Sequence, residues 1–164
     1  MTEVCIALYK SGQKGRYHWA LVLPSGNATT IGNNADVFQI RLNESWVPSH
    51  QRVTLTSSIS FLCCIRLPPA VGTNDELKGI IASFDASQGD TKLLFTHTSW
   101  TCAQWVIRSL GALVEGRRMD GAVTASGKEM FYARINAIGS KVEEGSIAGQ
   151  VVYGVRVVSW DVNM

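Results

Sequence analysis

Apolar and polar residues follow one another along this chain in a way that separates a β-rich first half from a more helical second half. Glu3 to Tyr9 reads as a strand, followed by a polar, glycine-containing turn from Lys10 to Gly15. Tyr17 to Leu23 is a second, nearly continuous apolar strand, closed by the turn sequence Pro24-Ser25-Gly26. Ala35 to Leu42 reads as a third, with Val37, Gln39 and Arg41 on one face and Phe38, Ile40 and Leu42 on the other. Val53 to Leu67 is rich in β-branched and apolar residues and predicts one long or bent strand that stops at Pro68-Pro69.

The period then changes. Thr73 offers an N-cap with Glu76 three positions on, and Leu77, Ile80, Ile81 and Phe84 follow at helical spacing. A short strand, Lys92 to Phe95, leads into an approach segment that runs through Thr96, His97 and Trp100 to Cys102. Trp105, Val106, Leu110 and Leu113 recur at helical intervals from there, with Gly116 as the stop. Lys128 to Val142 predicts another helix, capped by Ser126, and Gln150 to Trp160 a final β-branched strand. This order describes an antiparallel-rich sheet flanked by helices: a single α+β domain over residues 1–164.

Composition narrows what such a domain does. At 164 residues with 46% hydrophobic content, a full core is within reach without metal or disulfide staples. Fifteen Lys and Arg against thirteen Asp and Glu leave a formal charge of +2, and only Arg117 and Arg118 are adjacent. A phosphate-backbone binder needs a stripe of such charges, so no nucleic-acid partner is expected. No apolar run reaches the roughly 18 residues of a membrane span. Met1 to Lys10 carries Glu3 and does not read as a signal peptide, which points to a cytoplasmic protein. The glycosylation tripeptides at Asn27 and Asn43 are therefore without consequence. Cys5, Cys63, Cys64 and Cys102 show no CxxC spacing, and only His97 with Cys102 approaches zinc-ligand spacing, so neither metal nor cofactor is expected. Cys5, Cys63 and Cys64 read as small buried apolar residues.

Two local patterns carry the chemistry. The first is His18 near the start of the strand Tyr17-His18-Trp19-Ala20-Leu21-Val22-Leu23. The second is Cys102 at the first turn of the helix that reads CAQWVIRSL. Each alone has a bland explanation, a hydrogen-bonded core histidine or a core cysteine at i, i+3, i+4 spacing with Trp105 and Val106. Together they are more informative. A cysteine attacks as thiolate, and an unperturbed pKa near 8.5 leaves little of it at neutral pH. A helix N-terminus, with its unpaired N–H groups and partial positive charge, stabilises that anion, and an imidazole can take the proton. His97 on the approach loop competes with His18 as the base, whereas His50, beside Pro48 in a polar loop, reads as solvent-exposed. His97, Trp100 and Tyr17 flank the two reactive groups and are the candidate substrate contacts.

The pair HWALVL followed much later by CAQWVIRSL resembles the circularly permuted branch of the papain-like cysteine enzymes. That branch is similar to the NlpC-type peptidases and includes lecithin retinol acyltransferase-like and PPPDE-like proteins. In it the histidine sits on an early strand and the cysteine opens a later helix, the order found here. The resemblance implies a papain-like fold, Cys102 as nucleophile, His18 as base and a third polar residue on the following strand. Gln39 is the best match for that residue and Asp36 the second. Thr101 and Ala103-Gln104 stand where the lipid acyltransferases carry Asn and Glu-His, and no apolar anchor follows the last strand. The implied activity is thiol-protease-like hydrolysis of an amide, isopeptide or thioester bond in a peptide, protein or small acyl substrate. Two alternatives stand beside it: transfer or cyclisation of the same acyl group on a small metabolite, and a non-catalytic binding module on the same fold.

Overall fold

A computed structural model describes residues 1–24, 34–95 and 97–164. The end of the Pro24-Ser25-Gly26 turn, the Asn27 tripeptide and Thr96 lie outside the described residues. Among the described residues, nine strands and three α-helices follow one another. The strands are β1 (Cys5–Lys10), β2 (Tyr17–Leu23), β3 (Ala35–Phe38), β4 (Ile40–Asn43), β5 (Ser45–Pro48), β6 (Gln51–Val53), β7 (Phe61–Arg66), β8 (Gln150–Val152) and β9 (Val155–Ser159). The helices, α1 (Asn74–Ala82), α2 (Cys102–Glu115) and α3 (Lys128–Glu143), all fall between β7 and β8.

Seven strands form one sheet in the order β6-β3-β2-β1-β7-β9-β8, and β4 pairs with β5 in a separate two-stranded sheet. Every pairing is antiparallel except β7 with β9, which is parallel. A parallel pair needs a long crossover, and the stretch holding the three helices supplies it. The protein is therefore a mixed α+β structure, with α2 packed on β2 and α3 on β7.

Alternation along the strands sorts the core into two layers. Ile6, Leu8, Trp19, Leu21, Leu23, Phe38 and Ile65 face the helices and meet Leu77, Trp105, Leu110, Ile135 and Ile138. On the other face a smaller cluster of Cys5, Ala7, Ala20, Val22, Val37, Leu55, Cys64 and Val157 is covered by Tyr9, Val53 and Phe61. Small residues on that second face let the chain after β6, including a 3-10 turn at Leu55–Ser57, lie close over the sheet.

Several sequence expectations are corrected. The strand expected over Ala35 to Leu42 splits at Gln39, with β4 leaving the main sheet to form a hairpin with β5 around Glu44, whose φ is 60°. Leu42, on the splayed hairpin, is 64% exposed, while Phe38 and Ile40, expected on its face, are buried. The Val53–Leu67 stretch is an end of β6, the 3-10 turn and β7 in succession. Lys92 to Phe95 forms no strand: the Leu94 N–H donates to the Gln104 side-chain oxygen at 3.2 Å, so a side chain takes the place of a neighbouring strand. Ser126 does not cap α3; its N-cap is Gly127, at φ 90°, with no side-chain bond. Gln150 to Trp160 is a hairpin, because Tyr153 and Gly154 both adopt positive φ (49° and 79°) and turn the chain back on itself. By contrast, Thr73 caps α1 through its side chain to the Glu76 N–H, and β2 spans the residues expected of it.

Candidate active site

The split at Gln39 opens the site. β3 opposes only Leu21, Val22 and Leu23 of β2, so the first half of β2 has no β3 partner. The N-terminal tip of α2 fills this gap, where the Trp19 backbone N–H donates to Cys102 Sγ at 3.5 Å. The thiol sits where the next strand's acceptor would have been. Thr101 caps the helix, its side chain accepting the Gln104 N–H, and thereby fixes Cys102 as the first helical residue.

His18 approaches the thiol from β2, close enough that each group shifts the other's ionisation. Its Nε2 lies 2.5 Å from Gln39 Oε1. An amide oxygen accepts, so Nε2 carries the proton and Nδ1 is the nitrogen left for the thiol. Burial lowers the His18 imidazole, but the hydrogen bond and charge of Cys102, helped by Gln39, raise it to a net value above the ordinary range. Burial likewise raises the Cys102 thiol, yet the His18 hydrogen bond and charge, with the Trp19 and Ala103 N–H groups, bring it below the ordinary thiol range. Both shifts favour the thiolate–imidazolium pair.

The other thiols differ. Cys5, Cys63 and Cys64 are fully buried. Burial pushes Cys63 up to about 12, and the hydrogen bond that the Cys64 thiol makes to Cys5, together with burial, drives Cys64 well above the usual thiol range.

Cys102, half-buried, opens onto a cavity of about 650 Å³. His97 and Tyr17 line it, as do Tyr132 and Asn136 of α3 and the exposed Phe95 and Arg16. The His97 ring meets Tyr132 edge-on at 4.8 Å, and burial with the nearby Arg16 charge lowers its pKa. Tyr17 donates its hydroxyl to Glu143 at 2.8 Å, and burial followed by that bond pushes its pKa up to about 12. His18 and Gln39 border a second hollow of about 340 Å³ with Tyr9 and Ser58. The dyad thus stands between two recesses, and only the larger one reaches the sulfur.

Three expected roles are corrected by this placement. Trp100 is not a cavity wall: it is 4% exposed, donates to the Ala86 carbonyl at 3.0 Å and carries Arg108 over its ring. Asp36 does not reach His18, being paired instead with Arg52 at 3.4 Å and Lys78 at 3.5 Å. His50 is not solvent-exposed: its ring packs against Phe38 and Trp105, and Nδ1 accepts the Gln39 N–H at 3.2 Å. Sequence reasoning missed that role, together with Asn136, which accepts the Trp19 indole N–H at 3.2 Å and holds α3 against β2 beside the cavity. The spacing of polar residues on a buried helix face, Asn136 between Ile135 and Ile138, was the available signal.

Residues 2–152 match a family of unknown function, DUF6914. The chain belongs to DUF6914. Search among curated proteins and among solved structures returns no match for this DUF6914 member. Among its described residues, no group of three or more His, Cys, Asp and Glu side chains is placed to hold a metal ion, and no helix is long and apolar enough to cross a membrane.

Proposed function

We propose that this protein is a cysteine hydrolase that cleaves an amide, isopeptide or thioester bond through an acyl-enzyme on Cys102. The observation that carries the reading is the Cys102–His18–Gln39 relay, with the sulfur at a helix start and open to a cavity. The permuted order, histidine on an early strand, glutamine just after the next one and cysteine on a later helix, supports a papain-like arrangement of the sheet and α2.

In the first step the Cys102 thiolate attacks the carbonyl carbon, and the carbonyl π electrons move onto oxygen. First-turn N–H groups of α2, which no helical carbonyl can accept, receive that oxyanion. The intermediate collapses, the bond to the leaving nitrogen or sulfur breaks, and the His18 imidazolium supplies the departing group's proton. His18 then takes a proton from water, which attacks the thioester. Collapse expels the thiolate and releases a carboxylic acid. Gln39 keeps the imidazole in the tautomer and orientation that both steps need. The broad cavity beside the sulfur leaves room for water, which favours hydrolysis over transfer to a second substrate. Attack requires a free thiol, so the reading also assigns the reaction to a reducing compartment such as the cytoplasm.

A chloroacetamide probe tests this in the folded protein at neutral pH, with the adduct located by peptide mass spectrometry. The expected result is modification at Cys102, abolished by Cys102→Ser. Modification at Cys5 or Cys63 in preference to Cys102 contradicts the proposal.

A further inference from the structure

Val37 opposes Gln51 in the β3–β6 ladder, and Ile40 opposes Pro48 in the β4–β5 ladder. These pairs share one antiparallel register, so Gln39 stands opposite Ser49. In an uninterrupted ladder such a pair exchanges two main-chain bonds. Only one is present, with the Ser49 N–H donating to the Gln39 carbonyl at 2.8 Å. The reciprocal bond is replaced: the Gln39 N–H goes to the His50 Nδ1 at 3.2 Å. A side-chain nitrogen thus closes the ladder at the residue where the sheet divides.

We propose that His50 is a positioning residue of the site, taking the Gln39 N–H in place of a main-chain carbonyl and so fixing where Gln39 holds His18. The inference rests on the Cys102–His18–Gln39 reading above. His50 is itself held from two sides. Its ring centroid lies 5.2 Å from that of Phe38 and 5.8 Å from that of Trp105. Trp105 is on α2, one turn beyond Cys102, and its indole N–H is tied to the Asp85 carbonyl at 3.0 Å. The contacts close a ring from α2 through Trp105, His50, Gln39 and His18 back to Cys102. Movement of the nucleophile's helix and of the strand bearing Gln39 are joined through one imidazole.

The imidazole keeps this place against a cost. With Nδ1 accepting, Nε2 carries the hydrogen, and His50 Nε2 is buried without a hydrogen-bond partner among the described residues. An unsatisfied buried donor of this kind is rare and calls for an explanation other than packing. A Phe or Leu would fill the space between Phe38 and Trp105 with no orphaned group, but neither accepts the Gln39 N–H. Acceptance at Nδ1 is the property that only the polar ring supplies here.

The test is the pH dependence of Cys102 alkylation by iodoacetamide, which needs no knowledge of the substrate. His50→Phe keeps the ring and removes the acceptor; His50→Asn keeps an acceptor, since Oδ1 stands where Nδ1 stood. The His50→Phe profile should move to higher pH, its rate on the acidic limb falling about tenfold, as expected for a thiol whose inflection moves up one unit. His50→Asn should stay within about twofold of wild type, because its acceptor is retained. His50→Phe combined with Gln39→Ala should be no slower than Gln39→Ala alone. An unchanged profile in folded His50→Phe overturns the inference while leaving the cysteine-hydrolase reading intact. Should that variant not fold, His50→Gln, whose amide reaches past the Nδ1 position, replaces it, and an unchanged profile there has the same meaning. An ordinary thiol profile already in the wild-type chain sinks both.

Discussion

Gln39 Oε1 stands 2.5 Å from His18 Nε2, although Gln39 sits at the break between β3 and β4, beyond the last residue that β3 pairs with β2. The strand break places the amide beside the ring instead of in the core, and the amide then decides which imidazole nitrogen faces the thiol. Replacing Gln39 by Ala leaves a half-buried N–H without its acceptor and frees the ring to turn. We expect Cys102-dependent turnover to fall at least about tenfold, while Gln39→Glu, which keeps the acceptor, retains more activity than Gln39→Ala. Steady-state rates of the three proteins on one thioester substrate check the order.

Selective reactivity follows from burial. Cys5, Cys63 and Cys64 are each 0% exposed, whereas Cys102 borders the large cavity. Iodoacetamide at neutral pH should add one group to the native chain and four after denaturation, read as intact mass. More than one rapid adduct on the native protein would show that the buried thiols open readily.

A glycine sets the distance between α3 and the sheet. A Cβ on Gly139 would stand 2.7 Å from Tyr17 Cε2 and 2.8 Å from Leu8 Cδ1, both side chains being buried. Helix propensity favours Ala by about 1 kcal/mol, but overpacking of this kind costs typically 1 to 3 kcal/mol. Gly139→Ala should therefore be neutral to destabilising by up to about 2 kcal/mol, and should displace Tyr17 from the cavity wall. Thermal unfolding gives the sign; a clear rise in melting temperature would mean that the helix moves away freely.

The Trp19–Asn136 bond offers a second stability test. Asn136 is buried and accepts the indole N–H at 3.2 Å, so Asn136→Leu orphans a buried donor. A loss of about 1 to 3 kcal/mol is expected by denaturant unfolding. Double substitution of Trp19→Phe with Asn136→Leu should recover part of it, because neither partner is then left unpaired.

Much of this site was legible in the pattern of residues, and the remainder was hidden for identifiable reasons. Cys102 at a helix start followed from the apolar spacing of Trp105, Val106, Leu110 and Leu113, and Thr101 supplies the cap that such a start requires. His18 lies within β2 and Gln39 directly after β3, where the alternation of the sequence is strong. Trp100 was misread because its indole N–H finds a carbonyl within the core, a partner that composition cannot reveal. His50 was misread because a polar sequence neighbourhood usually means solvent, whereas here its ring packs against Phe38 and Trp105. The strand break at Gln39 had no turn residue to announce it: a side-chain acceptor, not glycine or proline, interrupts the ladder.

The account turns on Cys102 and His18 holding a shared proton between them. Because the Cys102 pKa is depressed on folding, the paired thiolate also stabilises the fold at high pH, and this contribution is lost as pH falls through the depressed value. The most direct measurement is the rate of Cys102 alkylation against pH in the wild-type chain and in His18→Ala. The wild-type inflection should lie below the ordinary thiol range and move up in His18→Ala. Coincident curves, both rising only near an ordinary thiol value, would contradict the account.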